Sequence, residues 1–258
     1  MVDIAAEADR RARWLTARRQ LAEAGGRRSV YSATGVAAKN DPLAASELDD
    51  DGSDTDEPAD LGDDGEHGLP SSDSAVPLRR QGRAGTAIGR AVHATLQSLD
   101  LATIDPDSPV IDQIAAREAE LEAVVEAASQ VAAAARSALR SDAVAAARRM
   151  THHKEMFVAA PVGVSAVEGY IDLLVETPEG LVIVDYKTDT VRNIDEIDAK
   201  LARYSLQGAT YAVALEAVTG LPVVDCRFVF CRAAGAIERS VADLPAAMDE
   251  VRARLASV

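Results

Sequence analysis

The sequence predicts an α/β domain built around a mixed β-sheet. Residues 110–149 are rich in Ala with interspersed Leu, Val and Ile, a pattern typical of helices, and the hydrophobic period then changes. Three strand-like runs follow, "HKEMFVAAPV", "VSAVEGYIDLLVET" and "LVIVDYKT", joined by turn-forming residues. Helix, strand and helix patterns return after them. The resulting order α, βββ, α, β, β, α indicates a mixed sheet flanked by helices.

The individual elements can be placed by their spacing and their terminating residues. A helix over 84–99 has apolar residues at core spacing, and one or two more helices occupy 110–149. Turns at 161–163 and 178–180 separate the three strands, and a helix over 195–218 ends before Gly220 and Pro222. "PVVDCRFVFCR" then predicts a strand, "AIERSVA" an edge strand, and residues 244–255 a final helix.

Charge is distributed unevenly along the 258 residues. Between Glu47 and Asp73 there are twelve Asp and Glu and no Lys or Arg, so the rest of the chain carries 30 acidic against 27 basic residues. The net charge of -15 therefore belongs mostly to one segment and does not exclude a nucleic-acid partner for the remainder. With 48% hydrophobic residues, that remainder can form a real core.

Composition divides the chain into three parts. Residues 1–38 contain a basic helix over 3–24 and the extended lead-in "RRSVYSATGVAA", and the helix serves either for packing or for docking. Residues 39–77 are rich in acidic residues, Gly, Pro and Ser, and cannot offset the entropy of ordering. We expect a disordered acidic linker there, either simply solvated or mimicking DNA in an autoinhibitory role. Residues 78–258 form the main domain.

The two cysteines argue against a disulfide and against an iron–sulfur cluster. Cys226 and Cys231 are five residues apart and would face opposite sides of a strand. They are expected to be core thiols in a reducing cytosol. The sequence contains no recognisable signal peptide and no apolar run near the roughly 20 residues of a membrane span. We therefore expect a cytoplasmic protein that does not use a membrane.

Charged residues interrupt the strongest strand-forming segment, "GYIDLLVETPEGLVIVDYKTD". If Glu179 and Gly180 form a two-residue turn, Asp172 lies opposite Lys187 and diagonal to Asp185, and all three side chains share one face. A buried ion cluster would cost several kcal/mol per ion unless every charge were paired. A functional site is therefore the better explanation.

These residue types indicate metal-dependent phosphoryl chemistry. Carboxylate oxygens with room for water suit Mg²⁺ or Mn²⁺ better than Zn²⁺, since no thiolate cluster is present. A divalent ion activates water and neutralises charge, and an adjacent lysine stabilises the developing oxyanion. The hydrolysis of phosphodiester bonds is the natural candidate reaction.

The hairpin resembles that of a known nuclease superfamily. "GYIDLLVE" and "VIVDYKTD" resemble the PD-(D/E)XK superfamily, with Asp172 as its first acidic residue and Asp185, Tyr186 and Lys187 as its D-x-K element. "GTAIGRAVHATLQ" is similar to the G-x-x-x-G-x-x-x-H helix of the RecB-like branch, and "YSLQGATYA" to its Q-x-x-x-Y element. The resemblance covers about residues 78–258, and the lead-in looks like the segment that precedes this module.

The resemblance implies a restriction-endonuclease-like sheet and a role for each matching residue. It implies metal ligation by His93, Asp172, Asp185 and the main-chain carbonyl of Tyr186. It gives Lys187 the task of orienting water and stabilising the transition state. From their spacing at i, i+4 and i+8, we expect Arg203, Gln207 and Tyr211 to form a polar stripe that contacts phosphates and positions the site.

The resemblance also implies DNA as substrate and a helicase as partner, in recombination or the repair of double-strand breaks. The sequence has no G-x-x-x-x-G-K-[ST] loop, so any such motor would act in trans or belong to a longer polypeptide. An exonuclease is favoured over an endonuclease. The alternative is a non-catalytic module that binds DNA or protein through a nuclease-like fold. RNA or invading DNA as substrate also stays open.

Overall fold

The structure, a computed structural model, describes residues 30–38, 86–163, 165–188 and 194–256, together with Trp14. The predicted N-terminal helix over 3–24 and the acidic linker over 39–77 lie outside these ranges. So does the predicted domain boundary at residue 78.

The described helices and strands alternate in the predicted order. The strands are β1 (Val30–Ser32), β2 (His152–Val162), β3 (Ser165–Thr177), β4 (Gly180–Lys187), β5 (Val223–Phe230) and β6 (Ile237–Ser240). The α-helices are α1 (Ala33–Ala38), α2 (Ala87–Ser98), α3 (Val110–Leu121), α4 (Ala128–Leu139), α5 (Asp142–Ala147), α6 (Ile194–Thr219) and α7 (Leu244–Ala256).

All six strands form one mixed sheet. Its order is β1-β3-β4-β5-β6, with β2 paired antiparallel to the other edge of β3. β1 runs parallel to β3, and β4 runs parallel to β5, while the β3–β4 and β5–β6 pairs are antiparallel. β1 brings residues 30–32, which precede the acidic segment, into the same sheet as the main domain.

Two hydrophobic cores cover the two faces of the sheet, as expected for a sheet between layers of helices. One contains side chains of α1, α6 and α7, and the other contains side chains of α2, α3, α4 and α5. Cys226 lies in the first core and Cys231 in the second, which confirms that the two thiols lie on opposite sides of the sheet. The predicted α/β class with a mixed, helix-flanked sheet is confirmed.

Helix termini follow local capping. The Thr86 side chain accepts a hydrogen bond from Gly89 N–H at 3.1 Å, so α2 begins at Ala87 and not at residue 84 as predicted. The prediction of one or two helices over 110–149 is wrong, because α3, α4 and α5 occupy this stretch. Ala123, at φ 57°, ends the first of these helices, and Ser141 caps the third through Val144 N–H. None of the helices in the described ranges is long and apolar enough to cross a membrane.

The hairpin between β3 and β4 has a different register from the one predicted. Thr177 pairs with Gly180 and Leu173 with Val184, so the two turn residues are Pro178 and Glu179. Pro178 presets the backbone for a turn. Gly180, at φ 145°, is required beyond the turn, because a Cβ there would collide with the carbonyl oxygen of Pro222. The predicted pairing of Asp172 with Lys187 is therefore wrong by two residues.

Candidate active site

The candidate site occupies a gap along one edge of β3. β1 pairs with residues 166–168 on this edge and β4 pairs with residues 173–177. Between them, Gly169 to Asp172 have no partner strand on that side in either set of pairings. We call this gap the notch. Asp172 lies at its end, where the paired stretch of β4 stops.

Asp172 links the notch to β4 and to helix α2. Tyr186 N–H donates a hydrogen bond to Asp172 Oδ2 at 2.7 Å. The carboxylate thus takes the place of a β3 main-chain carbonyl as acceptor, at the point where the hydrogen-bonded pairing of β3 with β4 ends. Asp172 Oδ1 lies 3.1 Å from His93 Nδ1. Gly89 permits the approach of α2, because a Cβ at this position would lie 2.5 Å from Thr188 Oγ1. The glycine spacing therefore places His93 beside the predicted acidic residue.

Asp185 and Lys187 project from β4 toward α6. Lys187 Nζ lies 2.7 Å from Asp185 Oδ2 and donates a hydrogen bond to Gln207 Oε1, also at 2.7 Å. The ammonium also lies 4.4 Å from the centre of the Tyr204 ring, within the range of a cation–π contact. Lys187 is thus held between a carboxylate, an amide oxygen and an aromatic face.

Asp185 is buried in a way that favours a cation. Its side chain is only 7% exposed, and Oδ2 has no aligned hydrogen bond among the described residues although Lys187 Nζ is close. Burial raises the pKa of Asp185, Lys187 counteracts this, and the negative charge of Asp172 raises the pKa further. A buried carboxylate oxygen without a directed donor is a fitting ligand for a hard divalent ion.

Helix α6 supports Lys187 from one side. Gln207, which accepts from Lys187, is nine-tenths buried, and the Tyr211 side chain hydrogen-bonds with Gln207 one helical turn later. Burial raises the pKa of the Tyr211 hydroxyl well above its usual range, so it stays protonated. The structure brings together His93, Asp172, Asp185, Lys187, Gln207 and Tyr211. Arg203 lies one helical turn before Gln207, is half-buried, and its phosphate contact stays a prediction.

The ring of Tyr211 lies directly over Gly169 in β3, and this contact is testable. A Cβ at Gly169 would lie 2.7 Å from Tyr211 Cε1, so Gly169→Ala must displace the ring that supports Gln207. We expect this overpacking to lower the free energy of unfolding by about 1–3 kcal/mol in urea denaturation. The neighbouring exposed-site change Glu168→Ala should alter it by less than about 0.5 kcal/mol. Equal stability of the two variants would contradict this packing.

Two neighbours of the site escaped prediction from the sequence. Tyr204 lies one turn before Gln207, and only the folded chain shows its ring against Lys187. Glu155 lies in β2, and the pairings of Met156 with Ile171 and of Lys154 with Leu173 flank it and Asp172. An acidic residue within "HKEMFV" was the available signal, because the β2–β3 register brings it next to Asp172.

The possible ligand atoms extend across three elements. One nitrogen or oxygen each from His93, Glu155 and Asp172 lie within 4.8 Å of one another. Asp185 is not in this group and instead forms the ion pair with Lys187. One imidazole and two carboxylates form a donor set that suits a divalent metal ion, with waters completing the shell.

Parts of the chain are similar in sequence to proteins from other bacteria. A Levilactobacillus brevis protein, named as a subunit of an ATP-dependent helicase/nuclease, is 33% identical over an alignment of 159 positions that covers 54% of this chain and 12% of that protein. Proteins of the same name from Alkaliphilus oremlandii and Clostridium botulinum are 47% and 46% identical over 57 and 59 residues, or 22% and 23% of this chain. The chain spans only 5% and 4% of the length of these two relatives.

The sequence also matches a family as a whole. The model of the PD-(D/E)XK nuclease superfamily matches residues 68–258, which include α2, the hairpin and α6. The matched range therefore contains every residue assigned above to the candidate site. The chain belongs to the PD-(D/E)XK nuclease superfamily.

Proposed function

We propose that this chain is a Mg²⁺-dependent deoxyribonuclease, able to use Mn²⁺, that hydrolyses phosphodiester bonds from DNA ends in the cytoplasm. His93, Asp172, Asp185 and the Tyr186 carbonyl bind the cation. Lys187 acts on the reacting phosphate, and Arg203, Gln207 and Tyr211 position the substrate and the lysine. The biological setting is DNA recombination or the repair of double-strand breaks.

One observation carries this proposal above the others. The buried oxygen Asp185 Oδ2 lacks an aligned hydrogen bond among the described residues and lies 2.7 Å from the Lys187 ammonium, with Asp172 and His93 nearby. Isolated buried charges are costly, and a purely structural cluster would gain little from this arrangement. An anionic phosphate and a cation would together satisfy both the lysine and the carboxylates.

The arrangement around Lys187 supports a role in the transition state. A bound divalent cation would supply Lewis-acid activation of water and would neutralise phosphate charge. Lys187 Nζ is fixed by Gln207 Oε1 and by the face of Tyr204, so it needs little reorganisation to meet a developing negative charge. Tyr186 N–H holds Asp172 Oδ2, which leaves Oδ1 facing His93. The side chains of Lys187, Asp172 and His93 are therefore already held in position before a substrate binds.

The relatives support DNA as the substrate and a helicase as the partner. Three of them are named as ATP-dependent helicase/nuclease subunits, and this chain matches only a small part of each. A helicase in cis or in trans would deliver unwound strands to the site. Because phosphate contacts read little about sequence, we expect cleavage with little base preference.

The test uses substrates that do not require a helicase. Purified wild type is incubated with end-labelled linear duplex DNA, pre-unwound single strands, covalently closed circles and RNA, in Mg²⁺, Mn²⁺ or EDTA. We expect metal-dependent loss of the linear DNA substrates, resistance of the circles, and no cleavage by Asp172→Asn. Tight DNA binding without metal-dependent cleavage would instead favour the non-catalytic alternative.

A further inference from the structure

Glu155 has an unusual backbone conformation for its position. It lies within strand β2 at φ 52°, in the left-handed region that residues other than Gly, Asn and Asp rarely adopt. Such a conformation is energetically unfavourable and persists only where the surrounding structure fixes it. Strain of this kind clusters at functional sites. The conformation of Glu155 therefore calls for a chemical reason.

The alternation of side chains inverts at this point on both strands. In β3, Ile171 packs into the core that contains α6, whereas Leu173, two residues on, packs into the core that contains α2. In β2, Met156 packs against the α6 core, whereas the Lys154 ammonium reaches α2. The β2–β3 pairings skip Glu155 and Asp172, which lie opposite each other at the inversion. Glu155 and Asp172 therefore both lie where the regular alternation of side chains between the two faces of the sheet is interrupted.

Lys154 holds the adjoining backbone in place. Its ammonium donates to the carbonyl oxygen of Gln97 at 2.6 Å and to that of Leu99, at the C-terminal end of α2. Burial lowers the pKa of Lys154, while Asp100 and Glu155 counteract this. The residue before Glu155 is therefore tied to the same helix that carries His93. The backbone next to Glu155 is thus connected to the C-terminal end of α2.

The inversion brings a second carboxylate to the His93 side of Asp172. Ligand atoms of His93, Glu155 and Asp172 lie within 4.8 Å of one another, a spacing that one cation can bridge through its coordination shell. Two carboxylates this close repel each other unless a positive charge lies between them. Asp185 Oδ2 is buried and lacks an aligned donor within the described chain, and its carboxylate lies close enough to Asp172 and His93 for their charges to interact.

We propose that Glu155 supplies a carboxylate oxygen to the divalent cation, on the His93 side of Asp172, and that its backbone conformation serves this task. This inference rests on the proposed nuclease function and adds a ligand from β2 to a set otherwise drawn from α2, β3 and β4. The cation would thereby link β2 to α2, β3 and β4. We therefore expect removal of the Glu155 carboxylate to weaken metal binding without destabilising the fold.

Mn²⁺ binding without DNA tests the proposal directly. Electron paramagnetic resonance and calorimetry would give the stoichiometry and Kd for wild type, Glu155→Gln, Glu155→Gly and the exposed control Glu168→Gln. We expect the first two variants to raise the Kd at least tenfold and the control to leave it unchanged. Glu155→Gly should not lower the urea midpoint of the metal-free protein, because glycine adopts φ 52° without strain.

The outcomes separate this inference from the proposed function. Wild-type Mn²⁺ affinity in both Glu155 variants would overturn the role of Glu155, even if wild type is an active nuclease. A wild type that binds Mn²⁺ but cleaves no nucleic acid would overturn the nuclease, and the Kd comparison would still decide the role of Glu155. A wild type that binds no Mn²⁺ would overturn both.

Discussion

Replacing Asp185 with Asn should abolish metal-dependent cleavage and at the same time stabilise the metal-free protein. The asparagine side chain keeps the size of the aspartate but removes the anionic oxygen that lacks an aligned donor within the described residues. Cleavage should fall by roughly 10³-fold or more, because a metal ion contributes several kcal/mol of charge stabilisation. The free energy of unfolding in EDTA should rise on the order of 1–3 kcal/mol, since a poorly satisfied buried charge is removed.

The stability gain should depend on pH in a defined direction. The folded protein raises the pKa of Asp185 above the ordinary value of 3.8, chiefly through burial. The cost of keeping it ionised is therefore fully present above the raised pKa and disappears as pH falls toward 3.8. The difference between Asp185→Asn and wild type should be largest at neutral pH and should shrink on acidification. Urea denaturation in EDTA across this range measures it.

Added Mn²⁺ provides the internal control for Asp185→Asn. The ion should stabilise wild type by binding only the folded state, and the variant should gain much less. Lys187 retains Gln207 and the Tyr204 ring as partners in the variant, so the site should remain folded. A variant that is less stable than wild type in EDTA at neutral pH would show that the ion pair with Lys187 outweighs the burial of the carboxylate.

Replacing Lys187 with Met should reduce kcat by about 10²- to 10³-fold without weakening metal binding. Methionine is unbranched and one atom shorter than lysine, so it can pack against the rings of Tyr204 and Phe228, but it supplies no charge to the transition state. The Kd for Mn²⁺ should stay the same or fall, because a positive charge beside Asp185 has been removed. Single-turnover cleavage of labelled DNA at saturating Mg²⁺ separates kcat from binding.

The matched control for Lys187→Met removes a lysine charge elsewhere. Lys200→Met lies on α6, which also carries Gln207, and changes the net charge by the same amount. Its kcat should stay within about twofold of wild type, and only its salt dependence should change. A loss in Lys187→Met smaller than tenfold would remove the lysine from the chemical step. Such a result would also mean that the contacts of Lys187 with Gln207 and Tyr204 serve only the folded structure.

The candidate site was predicted partly from short-range periodicity and partly from the resemblance of short motifs to a known superfamily. The alternation within β4 predicted that Asp185 and Lys187 share a face, whereas His93 and the role of Lys187 were implied by the resemblance of the α2 and β4 motifs to the superfamily. The pairing of Asp172 could not be predicted, because the turn depended on Pro222, about forty residues from Gly180 along the chain. Glu155 was missed for a similar reason. The alternation of side chains in β2 inverts at this residue, so the two-residue period that assigns side chains to the faces of a strand does not hold there.

The parallel strand β1 has a consequence for how the domain can be divided. It pairs with Ala166 to Glu168, yet it precedes the residues matched by the family model. A chain trimmed to 68–258 would leave this stretch of β3 with an open backbone edge beside the notch. Open edges recruit strands from other molecules, so such a trimmed chain would be prone to self-association. We therefore expect residues 30–32 to be needed in any shortened form of this domain that is to remain monomeric.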